Sequence, residues 1–142
     1  MHLFLFQPGI WIGEGHIAFP TSESKTRFFT RWSVQEIGEA KIRCQQEVEL
    51  HGLDQTTKNS LTLESVTDTH FHVTLENEMM GKVTGKGVID PKTIAWELRD
   101  HPGVEGFEVY DLQDNGEYLF RAEYSSGDQY HTLIQGKIWR KV

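Results

Sequence analysis

The sequence predicts an all-β protein, a closed antiparallel up-and-down β-barrel of about ten strands. Three observations predict it. Apolar and polar residues alternate along many short segments, turn residues separate those segments at regular intervals, and apolar residues nowhere recur at helical spacing over three turns. An open meander of this length leaves two unpaired edges, and closure into a barrel removes them.

The clearest alternation lies in residues 41–50, where Ile42, Cys44 and Val48 share one face and charged residues occupy much of the other. Because side chains point to opposite faces of a strand in turn, this pattern predicts a strand with one buried face. The same alternation recurs in four later segments: residues 60–66, 71–75, 94–98 and 118–124.

Turn residues mark the boundaries between the predicted strands. Pro8 and Gly9 precede the first strand, and Asn115-Gly116 suits a tight hairpin because both residues tolerate positive φ. The four prolines all fall in predicted turns, where a missing N–H costs no ladder hydrogen bond. We expect a single β-barrel domain over residues 1–142.

Composition limits the classes of partner and compartment. The formal net charge of −7 disfavours nucleic acids and anionic lipid surfaces, and no run of about 18 apolar residues could insert into a membrane. A single cysteine, Cys44, excludes an intrachain disulfide, and the N-terminus lacks the features of a signal peptide. We therefore expect a cytoplasmic protein.

Residues 9–15 read GIWIGEG and are followed by FPT at residues 19–21. Gly-x-Trp at the start of the first strand resembles the calycin signature, shared by lipocalins and fatty-acid-binding proteins. The longer Gly-x-Trp-x-Gly-x-Gly looks most like the nitrobindin-like branch. The resemblance implies that Trp11 closes one end of the barrel and that a basic residue of the last strand, Arg140, packs over its ring.

Parity from Trp11 places several glycines on the inner face of the barrel. Gly13 and Gly15 share its face, and Gly81, Gly85 and Gly87 repeat the pattern later in the chain. Such glycines either allow the strands to bend for closure or border a space.

Inward-facing aromatic residues with a few polar ones are the general form of a ligand pocket. Gln46 is the sharpest polar signal, because its amide lies on an otherwise apolar face and needs a partner or a ligand. The residues predicted to line the lumen are Trp32, Gln46, Phe71, Trp96, Phe120 and Tyr124. Of these, Gln46 and Tyr124 would orient a polar end of the ligand.

The nitrobindin-like resemblance implies haem, held by a histidine on the inner face of the last strand. If Arg140 points inward, that face carries Thr132, Ile134, Gly136 and Ile138. His131 falls on the opposite face, and a one-residue slip would expose the apolar set. We therefore expect no haem and no other cofactor.

Metal and catalytic sites are also not expected. His70 and His72 lie on the face opposite Phe71, so both are predicted to be exposed, and zinc would need further ligands from a neighbouring strand. Cys44 has no identifiable base beside it and is predicted to be a core residue.

These patterns favour a non-enzymatic protein that binds a small apolar or amphipathic ligand in the barrel lumen. One alternative is a haem-binding nitrobindin-like protein that acts on reactive nitrogen species. The other is a structural or interaction barrel with a filled lumen, which binds no ligand there and could pair with a second copy. Its sequence feature is the set of outward apolar residues Ile10, Ile12 and Trp139, which could form a homodimer surface.

Overall fold

The computed structural model describes residues 2–19, 25–54, 56–78, 81–101, 104–126 and 130–142. Its strands are β1 (Gly9–Ala18), β2 (Lys25–Gly38), β3 (Lys41–Leu50), β4 (Thr56–Glu64), β5 (His70–Asn77), β6 (Gly81–Ile89), β7 (Thr93–His101), β8 (Val104–Leu112), β9 (Tyr118–Ser126) and β10 (Tyr130–Arg140). The described residues include no helix, and so no helix that could cross a membrane.

The ten strands form one closed antiparallel barrel, which confirms the fold class predicted from the alternation. Each strand pairs with its neighbours in sequence, and β1 closes the ring by pairing with β10. In this closing pair, Trp11 lies opposite Arg140 and Ile17 lies opposite Ile134. Because the first and last strands pair with each other, neither remains as an open sheet edge.

The barrel has two different ends. We call the end where β1 begins and β10 finishes the closed end, because the N-terminal segment, residues 2–8, packs into it. Phe4 and Leu5 of this segment are both 0% exposed. Leu5 has a φ of 70°, a strained conformation for a branched side chain, and its complete burial helps to offset that strain. We call the opposite end the open end.

Aromatic rings fill the closed half of the barrel around Phe4. The Phe4 ring centroid lies 5.3 Å from that of Trp11, 5.3 Å from Trp32, 5.1 Å from Tyr110 and 5.5 Å from Tyr118. Edge-to-face and tilted pairs at these distances are favourable beyond the area that they bury. The closed half is therefore a packed aromatic core.

Candidate functional site

The inner wall of the open half carries apolar side chains that are only partly buried. They pack against the core but keep some surface that water can reach: Ile17, Val48, Leu50, Tyr124 and Ile134. A packed core leaves almost no such surface. Phe6, Val66, Ile89 and Leu112 at the closed end are partly buried as well, so the two halves differ chiefly in the Phe4 ring that occupies the centre of the closed half.

A carboxyl group lies among these side chains on β8. The Tyr110 hydroxyl donates a hydrogen bond of 2.7 Å to Glu108 Oε1, and the Tyr124 hydroxyl donates one to Glu108 Oε2. Burial raises the pKa of Glu108, and the two tyrosine hydrogen bonds act against that rise. Burial and the neighbouring carboxylate raise the pKa of both tyrosines well above 10.0, so both remain hydrogen-bond donors.

Strand register explains why this carboxyl points into the barrel. Glu108 lies opposite Trp96 on β7 and Ala122 on β9, and both of these neighbours are buried inside. The apolar residues Phe107 and Val109 would by themselves predict the reverse orientation of β8. The sequence of β8 alone therefore does not identify Glu108 as a lumen residue, because only the neighbouring strands decide which face is inner.

A second polar group spans four neighbouring strands of the inner wall. Gln46 Nε2 donates to Thr30 Oγ1 at 3.0 Å, and Asn59 Nδ2 donates to Gln46 Oε1 at 3.0 Å. Asn77 Nδ2 donates in turn to Asn59 Oδ1 at 3.1 Å. We call these four side chains the amide ladder. It gives Gln46 the partners that a buried amide requires, and the sequence analysis had not identified the other three members.

The two polar groups occupy opposite walls of the lumen. Gln46 lies on β3 and Glu108 lies on β8, and these strands stand five places apart in the ring of ten. A molecule in the open half would thus meet a carboxyl group on one wall and amide groups on the other. Apolar side chains line the space between them.

The predicted lumen residues fall into two sets. Gln46 and Tyr124 are partly buried and belong to the polar groups just described. The aromatic residues Trp32, Phe71, Trp96 and Phe120 are between 1% and 8% exposed and pack against other rings.

The tightest ring packing is a stack of three. The Tyr110 ring lies 5.1 Å from Trp96 at an interplanar angle of 18° and 5.2 Å from Phe120 at 19°. Phe71 meets Trp96 edge-on at 6.5 Å. These rings form a continuous aromatic surface, and the hydroxyl of its middle ring, Tyr110, donates to the Glu108 carboxyl group.

Some aromatic rings of the inner wall pack directly over glycine residues. The Phe71 ring covers Gly87 and the Tyr124 ring covers Gly106, so closely that a Cβ at either glycine would overlap the ring. The ring can therefore lie flat against the wall instead of standing out into the lumen. At these two positions the space left by the missing side chain is therefore occupied by an aromatic ring.

The residues predicted to close the barrel are adjacent, as β1–β10 pairing requires. Trp11 is 2% exposed, and its ring contacts Phe4 and Tyr118, with centroids 5.3 and 5.6 Å away. Arg140 is exposed, and its guanidinium passes over Gly9. Phe4, from the N-terminal segment, thus packs on Trp11, a contact that the sequence analysis did not predict.

The described residues do not fit a histidine-ligated haem on β10. Thr132, Ile134, Gly136 and Ile138 have the inward phase, whereas His131 is exposed, with its Nε2 3.9 Å from Glu123 Oε2.

His70, His72 and Cys44 belong to no metal-binding group among the described residues. No group of three or more His, Cys, Asp or Glu side chains there could hold a metal ion, and His70 and His72 are both exposed. Cys44 is fully buried, and burial raises the pKa of its thiol to about 12. Its thiol therefore stays protonated at neutral pH.

Comparison with known proteins identifies a similar fold. The crystal structure of Rv2717c from M. tuberculosis superposes with a TM-score of 0.74 at 13% identity, covering 95% of this chain and 92% of that one. The structure of EF1p2_mFAP2b bound to DFHBI gives a TM-score of 0.47 at 13% identity, covering 94% and 93%. The sequence matches no protein-family model and no curated protein. At this identity the first likeness establishes the barrel fold alone.

Proposed function

We propose that this protein binds a small, largely apolar molecule in the open half of its barrel and does so without catalysis. One observation supports this most directly. The inner wall there combines partly buried apolar side chains with two hydrogen-bonded polar groups on opposite walls. That combination is typical of small-molecule sites, which are mostly apolar with a few placed polar groups.

The difference in packing between the two halves supports the same proposal. The N-terminal segment inserts Phe4 into the closed half, whereas Val48 and Ile134 of the open half stay partly exposed. A barrel of ten strands is wider than the eight-stranded barrels whose interior side chains can fill. We propose that the ligand takes the space that the side chains leave.

Within this proposal, the aromatic rings form the floor of the site. Phe120, Trp96 and Phe71 would supply apolar contact, and Trp32 would support this floor from the closed half. Gln46 and Tyr124 would orient a polar end. The stacked rings have little freedom to rearrange, because each is held by its neighbours. A rigid floor lowers the entropy lost on binding.

Tryptophan fluorescence provides the first test. Trp32 and Trp96 lie on the inner wall, so we expect lipophilic ligands of several shapes to change the emission in a saturable way. Ligands that share the site must also displace one another. Haemin belongs in the panel, because the nitrobindin-like resemblance implies it, and a Soret shift would report its binding.

A pair of matched variants locates the binding. Val48→Phe adds a ring on the inner wall of β3, and Gln45→Phe adds the same ring on its exposed outer face. We expect the inner variant to weaken binding by about tenfold or more and the outer variant to change it by less than about twofold. A folded protein that binds nothing in the panel, or equal effects of both variants, would instead favour the barrel with a filled lumen.

A further inference from the structure

We propose that Glu108 makes this site selective for organic cations, that is, molecules with an apolar body and a protonated amine. The inference rests on the proposed function, since it assigns a chemical class to the ligand of the same site. It arises from three features of the described residues: the hydrogen bonding of the carboxyl group, the lack of a neighbouring cation, and the uncharged opposite wall.

The carboxyl group of Glu108 has unused hydrogen-bonding capacity. Each of its oxygens accepts one tyrosine hydroxyl, from Tyr110 and from Tyr124. An ionised carboxylate offers about four acceptor positions, so about two remain for a ligand. The residue is partly buried, and the Tyr124 ring beside it also keeps some exposed surface. A ligand in the open half could thus reach these oxygens.

Among the described side chains, none on the inner wall of the open half carries a positive charge. Arg99 of the neighbouring β7 is exposed and pairs with Glu97, with Nε 3.1 Å from Oε2. Arg121 of β9 and His131 of β10 are exposed as well. A buried carboxylate without a cation is costly, and a bound ammonium group would supply the missing charge through a charge-assisted hydrogen bond.

The opposite wall is uncharged and suits the remainder of such a ligand. The amide ladder there pairs its amide groups with one another, and the nearby inner-wall residues Val48 and Leu50 are apolar. An anionic ligand would face Glu108 with nothing to neutralise either charge, and like charges close together in a site repel. The site should therefore rank cations above neutral molecules and neutral molecules above anions.

Three probes with one apolar body test this ranking: 4-phenylbutylammonium, 4-phenylbutanol and 4-phenylbutanoate. Titration calorimetry on the whole chain at neutral pH gives the affinity of each. We expect the ammonium probe to bind about tenfold or more tightly than the alcohol, since a hydrogen bond to a charged partner is worth more than a neutral one. The carboxylate probe should bind most weakly.

Two variants separate the buried carboxyl from the acidic surface. Glu108→Gln removes the charge inside the barrel, and Glu105→Gln removes one on the exposed face of the same strand. We expect Glu108→Gln to abolish the preference, so that the ammonium probe binds no more tightly than the alcohol does. Glu105→Gln should keep the preference.

Ionic strength provides a measurement that needs no variant, should Glu108→Gln fail to fold. A pair inside the barrel is screened little, so the ratio of ammonium to alcohol affinity should hold from about 0.05 M to about 0.5 M NaCl. A ratio that falls to unity, or one that Glu105→Gln lowers as much as Glu108→Gln does, would attribute the preference to surface charge and overturn the inference.

The remaining outcomes distinguish this inference from the proposed function. Equal affinities for the ammonium and alcohol probes, or a preference for the carboxylate, would overturn selectivity for cations and leave binding in the lumen intact. If none of the three probes binds to the folded protein, and the lipophilic panel also fails, the proposed function itself is wrong.

Discussion

The two halves of the barrel use the same ten strands in different ways. In the closed half the inward side chains are aromatic and aliphatic, and the ring of Phe4 occupies the centre. In the open half the inward positions include the carboxyl of Glu108, the amide of Gln46 and several apolar residues that remain partly exposed. The closed half is thus a packed apolar core, whereas the inner surface of the open half combines apolar side chains with polar groups.

This difference shows that a barrel can separate stability from recognition along its axis. Apolar burial and ring contacts concentrate where the N-terminal segment enters, because a dry, filled interior gains most from close packing. Polar side chains occur where each can find a hydrogen-bonding partner, as the amide ladder does. We expect substitutions in the two halves to differ in the same way, with large effects on stability in the first and on binding in the second.

The largest expected effect is the loss of the Phe4 ring. Phe4→Ala removes a fully buried side chain that contacts four other rings, and we expect it to lower the free energy of unfolding by about 3–5 kcal/mol. Leu3→Ala is the control, because Leu3 precedes it in the same segment and is 40% exposed. Urea denaturation measures both. Similar small losses in the two variants would mean that the N-terminal segment is not part of the core.

A smaller effect is expected where a ring lies over an inner-wall glycine. Gly106→Ala would place a methyl group against the Tyr124 ring and push its hydroxyl away from Glu108, so we expect a loss of about 1–3 kcal/mol. At Gly38 an added Cβ would meet only Lys41 Cβ, at an ordinary 3.7 Å. Gly38→Ala is therefore the control, measured in the same denaturation experiment. If Gly106→Ala were as stable as the wild type, packing of the Tyr124 ring over Gly106 would not contribute to stability.

The smallest expected effect is a trend with pH that is specific to the open half. Because burial raises the pKa of Glu108 above its usual 4.5, the folded protein holds this proton more tightly than the unfolded chain does. The carboxyl therefore contributes most to stability below the unfolded pKa, and that contribution is lost as pH rises through the folded pKa. The stability of the wild type minus that of Glu108→Gln should fall as pH rises from about 4 towards neutrality.

Denaturation over a pH series measures this trend. Tyr110 and Tyr124, the titratable partners of Glu108, stay protonated throughout, because their pKa values are raised well above 10.0. The control is the stability of the wild type minus that of Glu105→Gln, measured over the same pH series. A Glu108 difference that is constant or rises with pH would contradict the direction of the shift, and a bound ammonium probe should reduce the fall.

Much of the fold could be predicted because strand alternation is a local signal. The segment around Ile42 and Cys44 reports its buried face within a few residues, and the structure places both side chains inside the barrel. Trp32 and Trp96 were assigned to the inner face in the same way. These assignments needed only the period of two and the turn residues between the segments.

The candidate site was harder to predict because its polar groups depend on neighbouring strands. β8 has apolar residues on both faces, so its own pattern does not reveal that Glu108 points inward. Asn59 and Asn77 lie 18 positions apart, and each reads alone as a surface residue. Phe4 precedes the first strand, where no periodicity indicates that its ring is buried.

The sequence by itself determined that the chain alternates, turns often and forms a barrel with aromatic residues inside. Only the tertiary structure decided that Glu108 and Gln46 lie on opposite walls of the lumen and that the N-terminal segment packs into one end. The physical reason is the range of the interactions. Alternation follows from the geometry of a single strand, whereas the meeting of these groups depends on the register of every strand around the closed ring.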